Sequence, residues 1–151
     1  MRTPAEIHAA EMAARQQVKQ LTDEAKELRQ QAKQCKVAVD AYGLRLKAKQ
    51  LTEAAKEARE AAKNLHTEAC NALERCAAEM TKRMPPDFPS WGIMKTRGYV
   101  KLLEIVSSNA KRQNPKLAIA TAAHAALLGH DSWTDEHAHY YGALPKNPKS
   151  F

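Results

Sequence analysis

The first half of the chain carries apolar or small residues at alternating steps of four and three. Starting from Ala14, these steps define a first seam, whose members are Ala14, Val18, Leu21, Ala25, Leu28, Ala32, Cys35, Val39, Tyr42 and Leu46. Charged residues fall between these positions and never on them. Such a heptad pattern is typical of an α-helix that pairs with another helix along one face. The pattern therefore predicts an alanine-rich coiled coil.

A second seam begins before the first one ends. Its members are Leu44, Ala48, Leu51, Ala55, Ala58, Ala62, Leu65, Ala69, Ala72 and Cys76. The two seams are offset by two residues, and on a continuous helix this offset turns the apolar stripe by about 200°. An offset of this size predicts either a turn between two antiparallel helices or one helix with partners on two sides.

We expect the turn at residues 40–43. Gly43 costs a helix about 1 kcal/mol relative to alanine, and Asp40 is of a residue type that caps a following helix. A turn there makes an antiparallel hairpin with arms of roughly 55 to 60 Å, whereas the alternative is one bent helix of about 120 Å. Residues 21–29 resemble residues 51–59, which supports two equivalent helices.

The ends of this long helical segment are marked by capping and breaking residues. Thr3, Pro4 and Glu6 form a helix-start signature, in which Thr3 caps the helix and Glu6 returns a hydrogen bond to the cap. Two consecutive prolines interrupt the helix after Met84, because proline cannot continue the hydrogen-bond ladder. The sequence therefore predicts a coiled-coil domain over residues 3–84.

The rest of the chain divides into three parts. Residues 85–93 form a proline-rich corner. Residues 94–130 contain two apolar-periodic segments separated by Asn114, which predict a compact helical pair. Residues 131–151 have little apolar content and predict an extended tail with a short helix starting at Thr134. The predicted fold class is all-α.

Composition and charge narrow the classes of function. The chain of 151 residues is 5% aromatic and 27% charged, so large side chains for a globular core are scarce. The formal net charge of +7 is spread, with +4 in residues 1–84 and +3 in residues 85–151. No run of three basic residues occurs, so the sequence lacks the basic arm of many nucleic-acid-binding proteins. This mild basicity still suits an acidic partner.

The sequence also bears on location. The N-terminal residues lack the apolar core of a secretory signal, and Glu6 and Glu11 disfavour a cleaved organellar presequence. The longest apolar stretch, residues 117–129, is shorter than the roughly 20 residues that span a membrane. The three cysteines include no Cys-x-x-Cys pair, which suits reduced thiols. We expect an intracellular protein of a reducing compartment, without membrane insertion; cytoplasmic, cytoskeletal and mitochondrial locations all stay open.

Catalytic and metal-binding patterns are missing from the sequence. It contains no glycine-rich phosphate loop, nucleophile elbow or His-Glu-x-x-His motif. Imidazoles and carboxylates gather only near the C-terminus, at His130, Asp131, Asp135, Glu136, His137 and His139. Their spacing matches no metal-ligand pattern, and a polar helix end explains it better. We therefore expect no enzymatic activity, no cofactor and no bound metal.

The hypothesis that remains is a structural or scaffolding subunit of a larger protein assembly. The residues predicted to pair helices are Val18, Leu21, Leu28, Val39, Leu51 and Leu65. The residues predicted to dock on partners are Phe88, Trp91, Tyr140, Tyr141 and Phe151. The alternative is a basic accessory subunit of a ribonucleoprotein or other nucleic-acid-binding assembly. Its candidate phosphate contacts are Lys95, Arg97, Lys101, Lys111, Arg112 and Lys116.

Overall fold

The structure is a computed structural model, and it describes residues 2–82 and 92–128. These residues form helices and no strands, so the all-α prediction is confirmed. The four helices are α1 (Pro4–Gln34), α2 (Ala38–Lys82), α3 (Ile93–Lys111) and α4 (Pro115–Leu128).

The described residues divide into two compact units. The hairpin unit is Ala10–Leu65 and contains most of α1 and the first part of α2. The core unit contains residues 2–9, 66–82 and 92–128, and with them α3 and α4. The two units differ in the size of the side chains that they bury.

The core unit is built around large apolar side chains. Its hydrophobic cluster joins the last part of α2 to α3 and α4, and its members are Leu73, Ala77, Met80, Tyr99, Leu103, Val106, Ala110, Ala118, Ala122 and Ala125. The bulk comes from α2 and α3, whereas the fully buried members from α4 are alanines, with half-buried Ile119 packed against them. Small residues on one helix let the others approach closely, so Tyr99 and Leu103 are buried at 0% and 1% exposure.

The connection between α3 and α4 is a tight turn with identifiable contacts. Gln113 has a φ of 59°, the left-handed conformation that commonly ends a helix. The side-chain oxygen of Asn114 accepts a hydrogen bond from the Leu117 amide at 3.1 Å, so Asn114 caps α4, and Pro115 follows as its first residue. His66 lies 3.1 Å, through Nε2, from the carbonyl oxygen of Gln113, which ties α2 to this turn.

The predicted start of the first helix is confirmed in detail. The Thr3 amide donates a hydrogen bond to the Glu6 carboxylate at 2.7 Å, and the Glu6 amide donates to the Thr3 hydroxyl at 3.3 Å. These two bonds form a capping box, which satisfies two amides that a helix start leaves without partners. α3 begins at Ile93, one residue before the predicted start of the helical pair at residue 94.

In the hairpin unit, α1 and α2 run antiparallel and bury alanines spaced by seven. The buried apolar residues are Ala25, Ala32, Ala41, Ala48, Ala55 and Ala62, none of them more than 7% exposed. Arg29 Nη2 donates to the Thr52 hydroxyl oxygen at 2.8 Å, an exposed hydrogen bond between the two helices. Because each alanine removes only about one methyl group from water, burial contributes about 0.8 kcal/mol per residue.

The chain reverses at residues 35–37, earlier than the predicted turn at residues 40–43. Gly43 lies inside α2 and does not interrupt it. The predicted position was wrong because the spacing of the second seam also fits Ala41 and Val37, so the pattern alone allows a turn that precedes these residues as well as one at residues 40–43. Extending the second seam backwards from Ala48 reaches Ala41, which is buried against the hairpin.

Candidate functional site

The first turns of α2 present two apolar faces. Ala41 and Ala48 belong to the face that is buried in the hairpin. At about 100° per residue, Val39, Tyr42 and Leu46 form a row on nearly the opposite side. Their exposures are 78%, 68% and 46%, which are high values for side chains of this size and polarity. This second face has no cover within the part of the chain that the structure describes.

A gap lies within this exposed face. Val39, Tyr42, Gly43 and Leu46 occupy positions i, i+3, i+4 and i+7 of α2, so they surround one point on the helix surface. Gly43 has no side chain, and a Cβ added to it would meet no atom within 4 Å apart from its two chain neighbours and the backbone of its own helix. The gap is therefore open to solvent, with helix backbone as its floor and three larger side chains around it.

Charge is distributed unevenly along the hairpin unit. Residues 10–32 and 50–65, which we call the shaft, contain seven basic and seven acidic side chains. Residues 33–49, which we call the tip, contain one acidic side chain, Asp40, and five basic ones, namely Lys33, Lys36, Arg45, Lys47 and Lys49. The entire net charge of the hairpin unit, +4, therefore lies at the tip.

The charges of the shaft are also neutralised locally, unlike those of the tip. Four basic residues of the shaft pair with carboxylates one turn away on the same helix, in the pairs Arg15–Glu11, Lys26–Asp23, Lys56–Glu53 and Lys63–Glu60. None of the five basic residues of the tip forms an ion pair with any described residue. Lys33 lies in the last turn of α1, where the helix dipole stabilises a positive charge. The other four basic residues of the tip are not in the last turn of a helix.

We call the combination of these features the tip surface. It consists of the exposed apolar residues Val37, Val39, Tyr42 and Leu46, the open backbone at Gly43, and the basic residues Lys33, Lys36, Arg45, Lys47 and Lys49. Unpaired charge next to exposed apolar area is characteristic of binding surfaces. This is the candidate functional site of the hairpin unit.

A second basic surface lies on α3. Arg97, Lys101, Lys111 and Arg112 fall within an arc of about 100°, on the side of α3 away from the buried Tyr99. Glu104 lies on the same side and pairs with Lys101 at 3.1 Å. The structure thus brings together four of the six candidate phosphate contacts. Of the other two, Lys95 is half-buried with a partner of its own and Lys116 lies on α4.

This α3 surface borders an open groove of about 500 Å³ in the core unit. Ala77, Ala78 and Leu103 supply its apolar lining. Its polar lining comes from Thr81, Glu104, Ser107, Ser108, Lys111 and Arg112. The groove lies at the C-terminal end of α3, where the helix dipole favours cations, so its two basic residues have a structural reason to be there.

Five of the six residues predicted to pair helices are half-buried in the hairpin unit. They are Val18, Leu21, Leu28, Leu51 and Leu65. The sixth, Val39, is exposed and does not face the other helix of the hairpin. The turn at residues 35–37 precedes it, so the first seam faces α2 only up to the end of α1. Sequence reasoning missed Gly43 and the basic residues of the tip as parts of a site. The available signal was the overlap of the two seams.

The remaining predicted residues lie outside the described part of the chain. They are Phe88, Trp91, Tyr140, Tyr141 and Phe151, together with the histidine and carboxylate group around His130, His137 and His139. Their roles stay predictions. Among the described residues, no group of three or more His, Cys, Asp or Glu side chains is placed to hold a metal ion.

The cysteines are free thiols with different surroundings. Cys70 is buried, and Cys35 and Cys76 are half-buried. Burial raises the pKa of the Cys76 thiol from 9.0 to about 11, and nearby Glu79 adds to this while Arg75 opposes it. Cys76 is therefore protonated at neutral pH and behaves as a small apolar residue of the core unit. Burial likewise raises the pKa of Tyr99.

No described helix is both long enough and apolar enough to cross a bilayer. Comparisons with protein-family models, with curated proteins and with solved structures find no match to this chain.

Proposed function

We propose that this protein is a non-catalytic structural subunit of a larger protein assembly, in which it binds other subunits by packing helices against them. One observation carries the proposal: the first turns of α2 have two apolar faces, and the hairpin covers only one of them. An ordinary surface helix has a single apolar stripe and a polar opposite side. A second stripe, formed by Val39, Tyr42 and Leu46, favours a second helix as neighbour.

The energetics of the hairpin favour the same function. Its fully buried apolar residues are alanines, which contribute little free energy per turn. Helices of this kind gain most of their stability from packing against other structure. Burying the exposed apolar face on a partner would therefore stabilise both the complex and the hairpin. The free cysteines are in keeping with an assembly in a reducing intracellular compartment.

The runner-up is an accessory subunit of a ribonucleoprotein. It is favoured by the basic arc of Arg97, Lys101, Lys111 and Arg112 on α3, which is suited to phosphate contacts. However, base stacking on this arc would need an exposed aromatic side chain, and the one aromatic residue of α3, Tyr99, is buried. The charge of the arc is also reduced by the pair between Lys101 and Glu104.

The test is purification of the native complex at moderate salt, followed by mass spectrometry, with and without nuclease. The proposed function predicts that defined protein partners remain after nuclease treatment. We expect Tyr42→Glu to release them, because a carboxylate placed on the apolar face cannot be buried there without a large desolvation cost. Met12→Glu is the matched control, since Met12 is also exposed but lies on the shaft.

The outcomes separate the two functions. Partners that disappear with nuclease, and that are lost in an Arg97→Glu, Lys111→Glu double variant, would overturn the structural proposal in favour of the runner-up. Binding by the runner-up should also weaken steeply with salt, because phosphate contacts release condensed counterions. A protein that purifies alone under all these conditions would contradict both functions.

A further inference from the structure

We propose that the tip surface binds one amphipathic helix of a partner subunit, which inserts an apolar side chain beside Gly43 and places acidic residues against the basic residues of the tip. This inference rests on the proposed function and specifies its partner.

The exposed gap on α2 has the arrangement that helix partners use. When two helices interlock, each inserted side chain enters a hole formed by four residues of the facing helix, at i, i+3, i+4 and i+7. Val39, Tyr42, Gly43 and Leu46 have this spacing. Open space lies where a Cβ of Gly43 would be, so no other described element fills the hole, and the hole is wider than one with alanine at the same corner. A leucine or isoleucine side chain from another helix suits its size.

The charges around the hole specify the chemistry of that helix. Arg45 and Lys49 lie along one side of the apolar row, at three and seven residues after Tyr42, and Lys47 lies on the other side. None of the three has an acidic partner among the described residues. A partner helix with glutamates or aspartates on both flanks of its apolar stripe neutralises them. Complementary charge of this kind fixes orientation and speeds association.

The same observations disfavour other occupants. A second copy docked tip to tip would place +4 against +4, and juxtaposed like charges oppose binding. Nucleic acid would pair with the basic residues and stack on Tyr42, but it gives no account of the aliphatic Val39 and Leu46. An anionic membrane would attract the basic residues, but it gives no account of the glycine-based hole between two apolar residues. The helix accounts for the apolar residues, the hole and the charges together.

The experiment is photo-cross-linking in the native complex. The full chain carries p-benzoylphenylalanine in place of Tyr42, and in a matched control in place of Met12 on the shaft. After illumination, mass spectrometry identifies the cross-linked segment. We expect position 42, and not position 12, to cross-link a helical segment whose apolar stripe is flanked by acidic residues.

The cross-linked segment is then synthesised as a peptide and its dissociation constant from the full chain is measured. Gly43→Leu fills the hole, and overfilling a packed site should weaken binding about tenfold or more. Ala61→Leu is the control, because it adds the same side chain at an exposed position of the shaft. Lys47→Glu should also weaken binding, and raising the salt from about 0.05 to about 0.5 M should reduce the difference from the unmodified chain.

Each result bears on a different claim. An intact complex whose position 42 cross-links nucleic acid, lipid, or a neutral or basic segment overturns the acidic helix and leaves the structural function standing. The same holds for an intact complex without any cross-link at position 42. If Gly43→Leu leaves the dissociation constant of the peptide unchanged, the proposed insertion of a side chain beside Gly43 is wrong. The absence of any protein complex overturns the proposed function together with this inference.

Discussion

The core unit and the hairpin unit bury different side chains. In the core unit, Tyr99, Leu73, Met80 and Leu103 are almost fully inaccessible to solvent. In the hairpin unit, the buried apolar residues are alanines, and the larger side chains are half-buried or exposed. The sequence has a similar density of apolar positions in both regions, so the difference lies in the volume of the side chains and not in their number.

The size of the buried side chains determines whether a helix surface mainly stabilises its own unit or leaves stabilisation to a partner. Large buried side chains stabilise a unit by themselves, because each removes much apolar area from water. Alanines bring helix backbones close together but leave each turn weakly stabilised. The core unit therefore has its main stabilising contacts within its own chain, although Ile93 and Met94 at the start of α3 are exposed. In the hairpin unit the exposed large apolar side chains lie mainly at the tip. The following predictions test this contrast.

The largest expected effect is in the core unit. Leu103→Ala should lower the free energy of unfolding by about 3 kcal/mol, because the fully buried side chain leaves a cavity behind. Urea unfolding followed by circular dichroism measures it. Leu117→Ala is the control, since Leu117 on α4 is 48% exposed and should cost well under half as much. Equal losses at the two positions would contradict the assigned core.

The next effect is in the hairpin, and it comes from adding volume instead of removing it. Ala48→Leu should destabilise the hairpin by about 2 kcal/mol, because the closely approaching helices must separate to admit the larger side chain. Hydrogen exchange should accelerate within residues 10–65 and stay unchanged in α3 and α4. Ala61→Leu, at an exposed position, should leave exchange nearly unaltered.

A third effect depends on pH and concerns the core unit again. The Cys76 pKa rises from 9.0 to about 11 on folding, so the unfolded chain loses this proton first as pH increases. Stability is therefore unaffected by this group well below pH 9, and it falls as pH rises from 9 towards 11. The raised pKa of Tyr99 adds to the loss at higher pH. Cys76→Ala should flatten the fall in unfolding free energy between pH 8 and pH 10.

The smallest expected effect is a gain of stability in the hairpin unit. Gly43→Ala should stabilise the isolated chain by about 0.5 to 1 kcal/mol, because Gly43 is helical and its added Cβ meets no other atom. Thermal unfolding followed by circular dichroism measures this gain. A loss of stability would mean that residues 40–43 form the turn after all.

Much of this architecture follows from the sequence. The heptad spacing predicted helices, and Thr3 with Glu6 predicted the first cap, because both signals act over a few residues. Asn114 and Pro115 marked the start of α4 for the same reason. The position of the hairpin turn did not follow, since Gly43 costs a helix only about 1 kcal/mol and packing of Ala41 and Ala48 outweighs it.

The tip surface required the structure for a related reason. Tyr42 and Leu46 satisfy the first seam, so their spacing alone predicts that they face the other helix of the hairpin. Once the chain reverses at residues 35–37, the same spacing places them on the outside. A shift of the turn by a few residues thus changes two apolar side chains from interior to surface. The α3 arc was easier to anticipate, because its basic residues share one helix.

The buried alanines of each helix are spaced by seven residues, so the alanine pattern by itself does not specify the register of the two helices. Sliding α1 by seven residues along α2, about 10 Å, again sets alanine against alanine. Two features prevent this slip. The connection of residues 35–37 is too short to absorb it unless about two helical turns unravel, and the bond from Arg29 to Thr52 would be lost. In this protein a three-residue loop, more than the alanine interface itself, determines which residues the two helices present to each other.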